Sequence, residues 1–534
     1  MAAIAGAPTA KGASEHTQVM PRDLQCEHLT NPLGIDVAAP RYSWHLVDKA
    51  DVRGQKQTGY QVLVASKKSW LSRNRGDVWD SGKVSSSQST LVSYGGAKLT
   101  SDQNCYWKVR VFDKDGRPSE WSPVARFAMG LLSHAEWKGS WIKHPDAPAE
   151  KHLWFRKDLI LEKGASSAFI HVASVGYHEL FVNGKKVDDR VLAPALTRLD
   201  QRVLYVTYDL VPLLQAGKNT IALWTGPGWA RYKFFNTHPA LRVQLNGQTT
   251  DGRSFSLASD TTWRTEISSS FSQNLGGYKG GETIDARRDV ADWNAADFDD
   301  SHWPLAANTS MEVTLSAQML EPTRIIETIK PKSISQIRSG TNAAFKVDLG
   351  KNFTGWLKIK FNGLASGDLA TIKVSDEAGT TKAFGQLSQY IAEGKNGETF
   401  KNRFNYSCGR YVTLEGLKQK PKLSDVTGYA IATDLKRAGH FSCSKDLFNR
   451  IYEADLWTYR CNTTEGYTSD CPHRERLGYG EVAFATTWGI GLPNYHSGAF
   501  YMNLVRDWSD VQEENGRINH TAPQVNHNTY GGPL

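Results

Sequence analysis

A chain of 534 residues is more than one hydrophobic core organises, and at roughly 150 residues per domain it predicts three or four. Its 63 lysines and arginines against 55 acidic residues leave a net charge of +8, yet the basic residues are scattered and form no run, which argues against nucleic-acid or anionic-membrane binding. No apolar stretch approaches the ~18 residues of a membrane-spanning helix. The six cysteines have no metal-ligand spacing, so buried thiols are expected rather than a disulfide framework or a metal centre. The 17 tryptophans and 20 tyrosines are rings suited to the C–H faces of sugars, although most of them belong in β-sandwich cores.

The first ten residues look like the small-residue end of a secretory signal but lack a basic start and a full apolar core. Residues 1–22 are read as disordered or as a signal remnant, the compartment being periplasmic or secreted in the second case and cytoplasmic otherwise. From residue 24 to about 127 the sequence alternates as half-buried strands do, for example over 60–65 and 106–112, the latter running into the turn Asp113-Lys114-Asp115-Gly116. Residues 23–130 are therefore expected to form a fibronectin-type or immunoglobulin-like sandwich.

A linker with Trp137 and Trp141 leads into a second β-rich region, 131–330, expected to be a jelly-roll. Its strands include 154–159, 168–172 and 179–182, the last followed by the hairpin signal Asn183-Gly184. Glu282, Asp285 and Arg287 are candidates for a sugar or calcium site here, against the plainer reading that charged turn residues are solvated or paired with one another. Alternation over 345–350, 355–361 and 410–415 predicts another β-sandwich across 331–435.

The texture changes at Gly439-His440-Phe441-Ser442-Cys443. Ser444 is a plausible N-cap, and Phe448, Tyr452, Leu456 and Tyr459 mark one face of an amphipathic helix. Helical spacing returns with Phe500, Leu504, Trp508 and Val511, before a polar, glycine-rich stretch ending at Leu534. Between the two helices lies Ser469-Asp470-Cys471-Pro472-His473-Arg474-Glu475-Arg476-Leu477-Gly478-Tyr479-Gly480-Glu481. Asp470, Glu475 and Glu481 are near enough in sequence to share a pocket, where burial or a neighbouring carboxylate lifts one acid's pKa while an arginine keeps another ionised. Two carboxylates flanking a bond are the minimum for glycoside hydrolysis. The plainer reading is a charge-dense surface loop, with Asp470 as a helix cap and His473 as a structural histidine. Ser469 and Cys471 have no nucleophile elbow or basic partner around them.

This loop resembles the signature of the inverting bacterial and fungal α-L-rhamnosidases: Asp-Cys-Pro, a variable residue, Arg, one further residue, Glu-Arg, an apolar residue, Gly-Trp, a variable residue, Gly-Asp. Pro40-Arg41-Tyr42-Ser43-Trp44, Val78-Trp79-Asp80-Ser81-Gly82, Gly139-Ser140-Trp141-Ile142, Leu180-Phe181-Val182-Asn183-Gly184, the stretch from Gly281 to Arg287, and Gly439-His440-Phe441-Ser442-Cys443-Ser444 resemble the same family in the same order. The resemblance implies a mainly β multidomain chain: three β-sandwich or jelly-roll modules, then, over 436–534, the first helices of an incomplete (α/α)6 barrel with apolar faces left exposed. It implies Glu475 as the general acid, Asp470 and Arg474 as residues that hold rhamnose hydroxyls and order the acid, Tyr479 where the family has a sugar-facing Trp, and Glu481 where it has a substrate-binding Asp. The loop is one residue shorter between Arg474 and Glu475 and one shorter again before Gly480, so the pairing of Tyr479 and Glu481 depends on gap placement.

The family's general base is a glutamate of later barrel helices, so a chain ending at Leu534 is expected to be a C-terminal truncation, inactive or nearly so by itself. The expected partner is a rhamnose-containing glycoside or polysaccharide. No cofactor is required, and a structural calcium in the jelly-roll is compatible with the family. Two other readings stay open: a non-catalytic carbohydrate-binding protein using the jelly-roll around Trp229 and Glu282, and a related hydrolase or lyase acting on another deoxy or uronic sugar.

Overall fold

The computed structural model describes residues 16–49, 51–273, 280–340, 343–381 and 384–526, so the signal-like first ten residues and the end at 531–534 lie outside the described residues. The chain forms two compact units, Met1–Leu132 and Ser133–Leu534. No described helix is long and apolar enough to cross a membrane.

The first unit is a two-sheet sandwich, because its strands alternate large inward rings with polar residues. Val19–Cys26, Arg41–Asp48 and Val92–Ser93 make one sheet; Leu33–Ile35, Ala125–Met129, Asn104–Phe112, Gly59–Ala65 and Trp79–Asp80 make the other. Tyr42 of the first sheet packs 4.6 Å from Trp107 and 5.8 Å from Phe127 of the second. The expected turn after Phe112 closes on the buried Asp113 carboxylate, which accepts the N–H groups of Asp115 and Arg117, with Gly116 at φ +76°. The short helix α1, Lys68–Ser72, buries Leu71.

In the second unit a seven-stranded sheet, built around Ala165–Val175 between Ala240–Thr249 and Arg202–Asp209, covers a core of Ile170, Val172, Leu180, Leu223, Val243 and Trp263. The facing sheet does not stop at the jelly-roll. It has 14 strands and passes into the following sandwich where Glu282–Asp285 runs parallel to Leu387–Ile391, Thr283 opposite Gln389 and Asp285 opposite Ile391. A side chain at Gly281 would meet the Leu387 carbonyl oxygen at 1.8 Å, so only glycine allows this approach. The two modules expected on either side of residue 330 are thus joined by one continuous sheet, and the second carries its own core of Phe345, Val347, Leu357, Ile359, Ile372 and Val412.

The helical part follows. Helix α2, Asp446–Asn462, starts two residues after the expected cap: Lys445 occupies the cap position without a side-chain cap, and Ser444 is exposed. Asn449 instead ties the entry, donating to Cys443 O and accepting from Cys443 N at 2.8 and 2.9 Å. Its face is buried only at Leu456 and Tyr459, while Leu447, Phe448 and Ile451 are exposed. Helix α3, Gly480–Thr486, continues through a π-turn, Thr487–Gly491, into the short α4, Leu492–Asn494; α5 is Gly498–Asp510. Phe500, Leu504 and Val511 of the expected α5 face are buried, whereas Phe484, Trp488, Met502 and Val505 face solvent.

Candidate active site

The loop at 469–479 is held from below before any of its acids is placed. Thr463–Thr464 and Tyr467–Thr468 form a hairpin turned by Glu465 at φ +57° and Gly466 at φ +88°. Ser469 N–H then returns to Asn462 O at 2.8 Å. Arg476, 1 % exposed and at φ +60°, reaches into the sandwich: it donates to Pro472 O at 2.9 Å, Asn405 Oδ1 at 2.8 Å and Tyr406 O at 2.6 Å, with its guanidinium 3.9 Å from the Tyr406 ring centre. Tyr467 donates its hydroxyl to Arg476 O at 2.7 Å. On the other side, Gly478 exchanges hydrogen bonds with Ala522, which donates to its carbonyl, and with Gln524, whose Oε1 accepts its N–H. A Cβ on Gly478 would lie 2.1 Å from Ala522 O.

On this platform Asp470, Arg474, Glu475 and Tyr479 come together. Arg474 donates through Nε and Nη2 to both oxygens of Glu475, the Nη2–Oε1 distance being 2.8 Å, and lies 3.7 Å from Asp470. The Tyr479 hydroxyl is 3.5 Å from Glu475 Oε1. Burial works to raise the Glu475 pKa, but the bidentate Arg474 contact outweighs it and holds this carboxylate below its ordinary value. Asp470 moves the other way: burial first, then the Glu475 charge, lift its carboxyl despite the Cys471 N–H bond at 2.6 Å. Burial and the arginine thus push the two carboxyls in opposite directions, Asp470 up and Glu475 down. Burial, with the Glu475 and Asp470 charges behind it, pushes the Tyr479 phenol up to about 12, so it stays a donor.

Glu481 stands apart. It sits in the first turn of α3, exposed, 3.7 Å from His520 Nε2, and the bonds that join the other four do not include it. His473 packs against the exposed ring of Phe384, centroids 5.1 Å apart, and the same ring lies 5.9 Å from the Arg474 guanidinium. The Cys471 thiol is pushed up to about 11 by burial and by Asp470, which fits an inert thiol. Candidate ligand atoms of Asp470, Cys471 and Glu475 fall within 4.8 Å of one another, yet Arg474 already occupies both Glu475 oxygens, so an ion would have to displace it.

The jelly-roll candidates are committed elsewhere. Glu282, 1 % exposed, accepts Phe404 N–H at 2.7 Å, Arg403 N–H at 2.8 Å and Asn402 Nδ2 at 3.1 Å, and Asp285 is paired with Arg287. The oxygens of both carboxylates are thus engaged by protein donors. Trp229 is 2 % exposed against Tyr232 and offers no face to a sugar.

Arg476, Glu465, Phe384 and the segment 518–526 were not singled out as parts of the site by spacing. Arg476 could have been found from its place in the signature, and the Thr-Thr-Glu-Gly run marks a tight turn. Nothing local points to Phe384 or to Gln524, which reach the loop only through folding.

Four family models match along the chain: a Rha78A-like N-terminal immunoglobulin domain over residues 21–133, an alpha-L-rhamnosidase N-terminal domain over 163–327, a bacterial alpha-L-rhamnosidase concanavalin-like domain over 340–432, and a bacterial alpha-L-rhamnosidase 6 hairpin glycosidase domain over 436–534. An alpha-L-rhamnosidase of Formosa agariphila is 31 % identical over 90 % of this chain and 54 % of its own length. A solved alpha-L-rhamnosidase from Dictyoglumus thermophilum superposes with a TM-score of 0.87 at 32 % identity, covering 94 % of this chain and 59 % of that one. The Streptomyces avermitilis enzyme, solved with L-rhamnose, shares the fold at 0.85 and 24 % identity over 95 % of this chain and 66 % of its own. The chain spans about half the length of the curated relatives it matches.

Proposed function

We propose that this chain, which belongs to the bacterial α-L-rhamnosidase family, supplies the acid and the sugar-holding side of an inverting hydrolysis that releases terminal α-L-rhamnose from glycosides or polysaccharides. The observation that carries this reading is the Asp470–Arg474–Glu475 unit, in which a carboxyl held down by a bidentate arginine lies beside one that burial pushes up. Inversion needs an acid on the glycosidic oxygen and a base on the opposite face of the sugar, roughly 6.5–9.5 Å apart, with a water between the base and the anomeric carbon. Asp470 and Glu475, with ligand atoms inside 4.8 Å, touch one another and do not flank a bond, so together they form the acid alone.

Glu475 is the general acid: protonated in the substrate complex, it delivers its proton to the glycosidic oxygen as the C–O bond breaks and the aglycone leaves as a neutral alcohol. Water adds at the anomeric carbon and gives its proton to a carboxylate outside this pair. Arg474 and Asp470 hold sugar hydroxyls, Tyr479 offers its ring and phenol to the sugar, and Glu481 is a further hydroxyl partner at the loop's edge. This chemistry calls for no cofactor.

Hydrolysis of aryl and alkyl α-L-rhamnosides tests the reading. Glu475→Gln is expected to lower kcat by about 10²- to 10⁴-fold on a poor leaving group and much less on 4-nitrophenol, which departs without protonation. Equal losses on both leaving groups would remove Glu475 from the acid role, and a product released with retained configuration would remove inversion.

A further inference from the structure

A cavity of about 430 Å³ opens on the second sandwich of the larger unit, where the end of Ala344–Lys360, the turn at Asn396 and the stretch 417–425 meet. Its volume suits one or two sugar rings. None of its lining residues belongs to the loop at 469–481. Its surface is mainly polar, Phe361 being buried beneath it, and the side chains of Asn362, Asn396 and Gln419 on its wall carry amides that can donate to and accept from adjacent hydroxyls.

The rim is basic. Lys360, Lys420 and Lys422 line the cavity, and among the described residues no carboxylate is paired with any of them. Four other lysines of the same sandwich are paired with acids: Lys351 with Glu327 at 2.8 Å, Lys373 with Glu415 at 2.6 Å, Lys395 with Glu393 at 2.7 Å and Lys418 with Asp368 at 2.5 Å. The cavity's acid, Asp425, turns its carboxylate to the backbone N–H of Lys422 at 2.9 Å. An excess of positive charge is therefore left beside hydrogen-bonding amides.

We infer that this cavity is a second carbohydrate site, taking an anionic sugar residue, a uronate or a sulfated sugar, of a polysaccharide. The amides meet the hydroxyls of the sugar, and the lysines meet its acidic group. A nucleic acid fits less well, because no exposed aromatic ring lines the cavity for base stacking. The inference stands on this cavity alone, so its failure leaves the acid unit of the loop untouched.

Calorimetric titration of the chain with trigalacturonate, with its fully methyl-esterified form, and with a κ-carrageenan tetrasaccharide bearing sulfate but no carboxylate provides the test. One acidic probe is expected to bind, and which one tells uronate from sulfate. The neutral ester should bind about tenfold more weakly or worse, and raising salt from about 0.02 to 0.2 M should weaken the acidic probe. Lys420→Gln and Lys422→Gln should each cost about fivefold in affinity while leaving the melting temperature unchanged. The inference is overturned if neither acidic probe binds at millimolar concentration, if the ester binds as well, if the lysine variants bind unaltered, or if a single-stranded oligonucleotide occupies the site more tightly with the same lysine dependence.

Discussion

Arg476 decides the geometry of the acid pair without touching either acid. It is buried, it serves three acceptors on two segments, and its planar fork is what spans them. A lysine offers one compact ammonium and leaves at least one buried acceptor unpaired. Arg476→Lys is expected to destabilise the chain by about 2–4 kcal/mol, seen as a lowered melting temperature, and to release the loop to proteolysis. An unchanged melting temperature would show that the loop is held elsewhere. Glu465 is the companion case. Its side chain is fully buried, Oε2 accepts the Tyr406 hydroxyl at 3.2 Å while Oε1 has no partner among the described residues, and burial pushes its pKa up to about 8 against the pull of Arg476. Because the folded pKa is raised, the contribution is fully present below the ordinary value of 4.5 and is lost as pH rises from there toward 8. Glu465→Gln should therefore melt higher than the parent at pH 8 and differ least at pH 4; a gain that is the same at both would discard the assignment.

At the scale of elements, α5 is fastened to the jelly-roll by charge as well as by Phe500 and Leu504. Arg202 donates to Asp507 at 2.7 Å and to Asp510 at 2.6 Å, and Arg198 reaches Asp510 O at 3.0 Å. Asp507 is wholly buried, and burial raises its carboxyl despite Arg202. Such a pair adds little by existing but costs much when halved. Arg202→Met should destabilise by about 3–5 kcal/mol, with hydrogen exchange accelerating across 498–510 before the sandwich strands respond. Arg202→Met with Asp507→Leu should recover a large part of the loss; no recovery would mean that the clamp is not the cause. The strand Glu282–Asp285 belongs to the same scale. Its carboxylates look like a ligand set in sequence, yet they close a sheet junction, Glu282 capping three consecutive residues of the neighbouring sandwich.

At the scale of the whole molecule two buried histidines act against Glu465, their contribution falling on mild acidification. His152, between the hydroxyls of Ser270 and Ser272, and His178, between Ser174 and Tyr208, are buried, and desolvation lowers each to about 3. The unfolded chain takes up these protons below about 6.5 and the native one does not, so stability is complete above that pH and is lost as pH falls toward 3, on the order of a few kcal/mol per histidine. Melting scans between pH 7 and 4 should show His152→Gln losing less, or gaining more, on acidification than the parent; the same pH dependence in the variant and the parent would exclude His152 as a cause. The sequence by itself determined the succession of β modules and helices, since side-chain period two and period 3.6 are local records of which face meets a core. It also determined that the acids, arginines and tyrosine of the site sit in one short loop. Only the tertiary structure decided how they pair: Arg474 takes Glu475, burial pushes Asp470 the other way, and Glu481 turns away on α3. Only the tertiary structure merged two sandwiches into one sheet and brought Asn405, Tyr406 and Gln524 under the loop. These depend on contacts between segments tens to hundreds of residues apart, which no local pattern encodes.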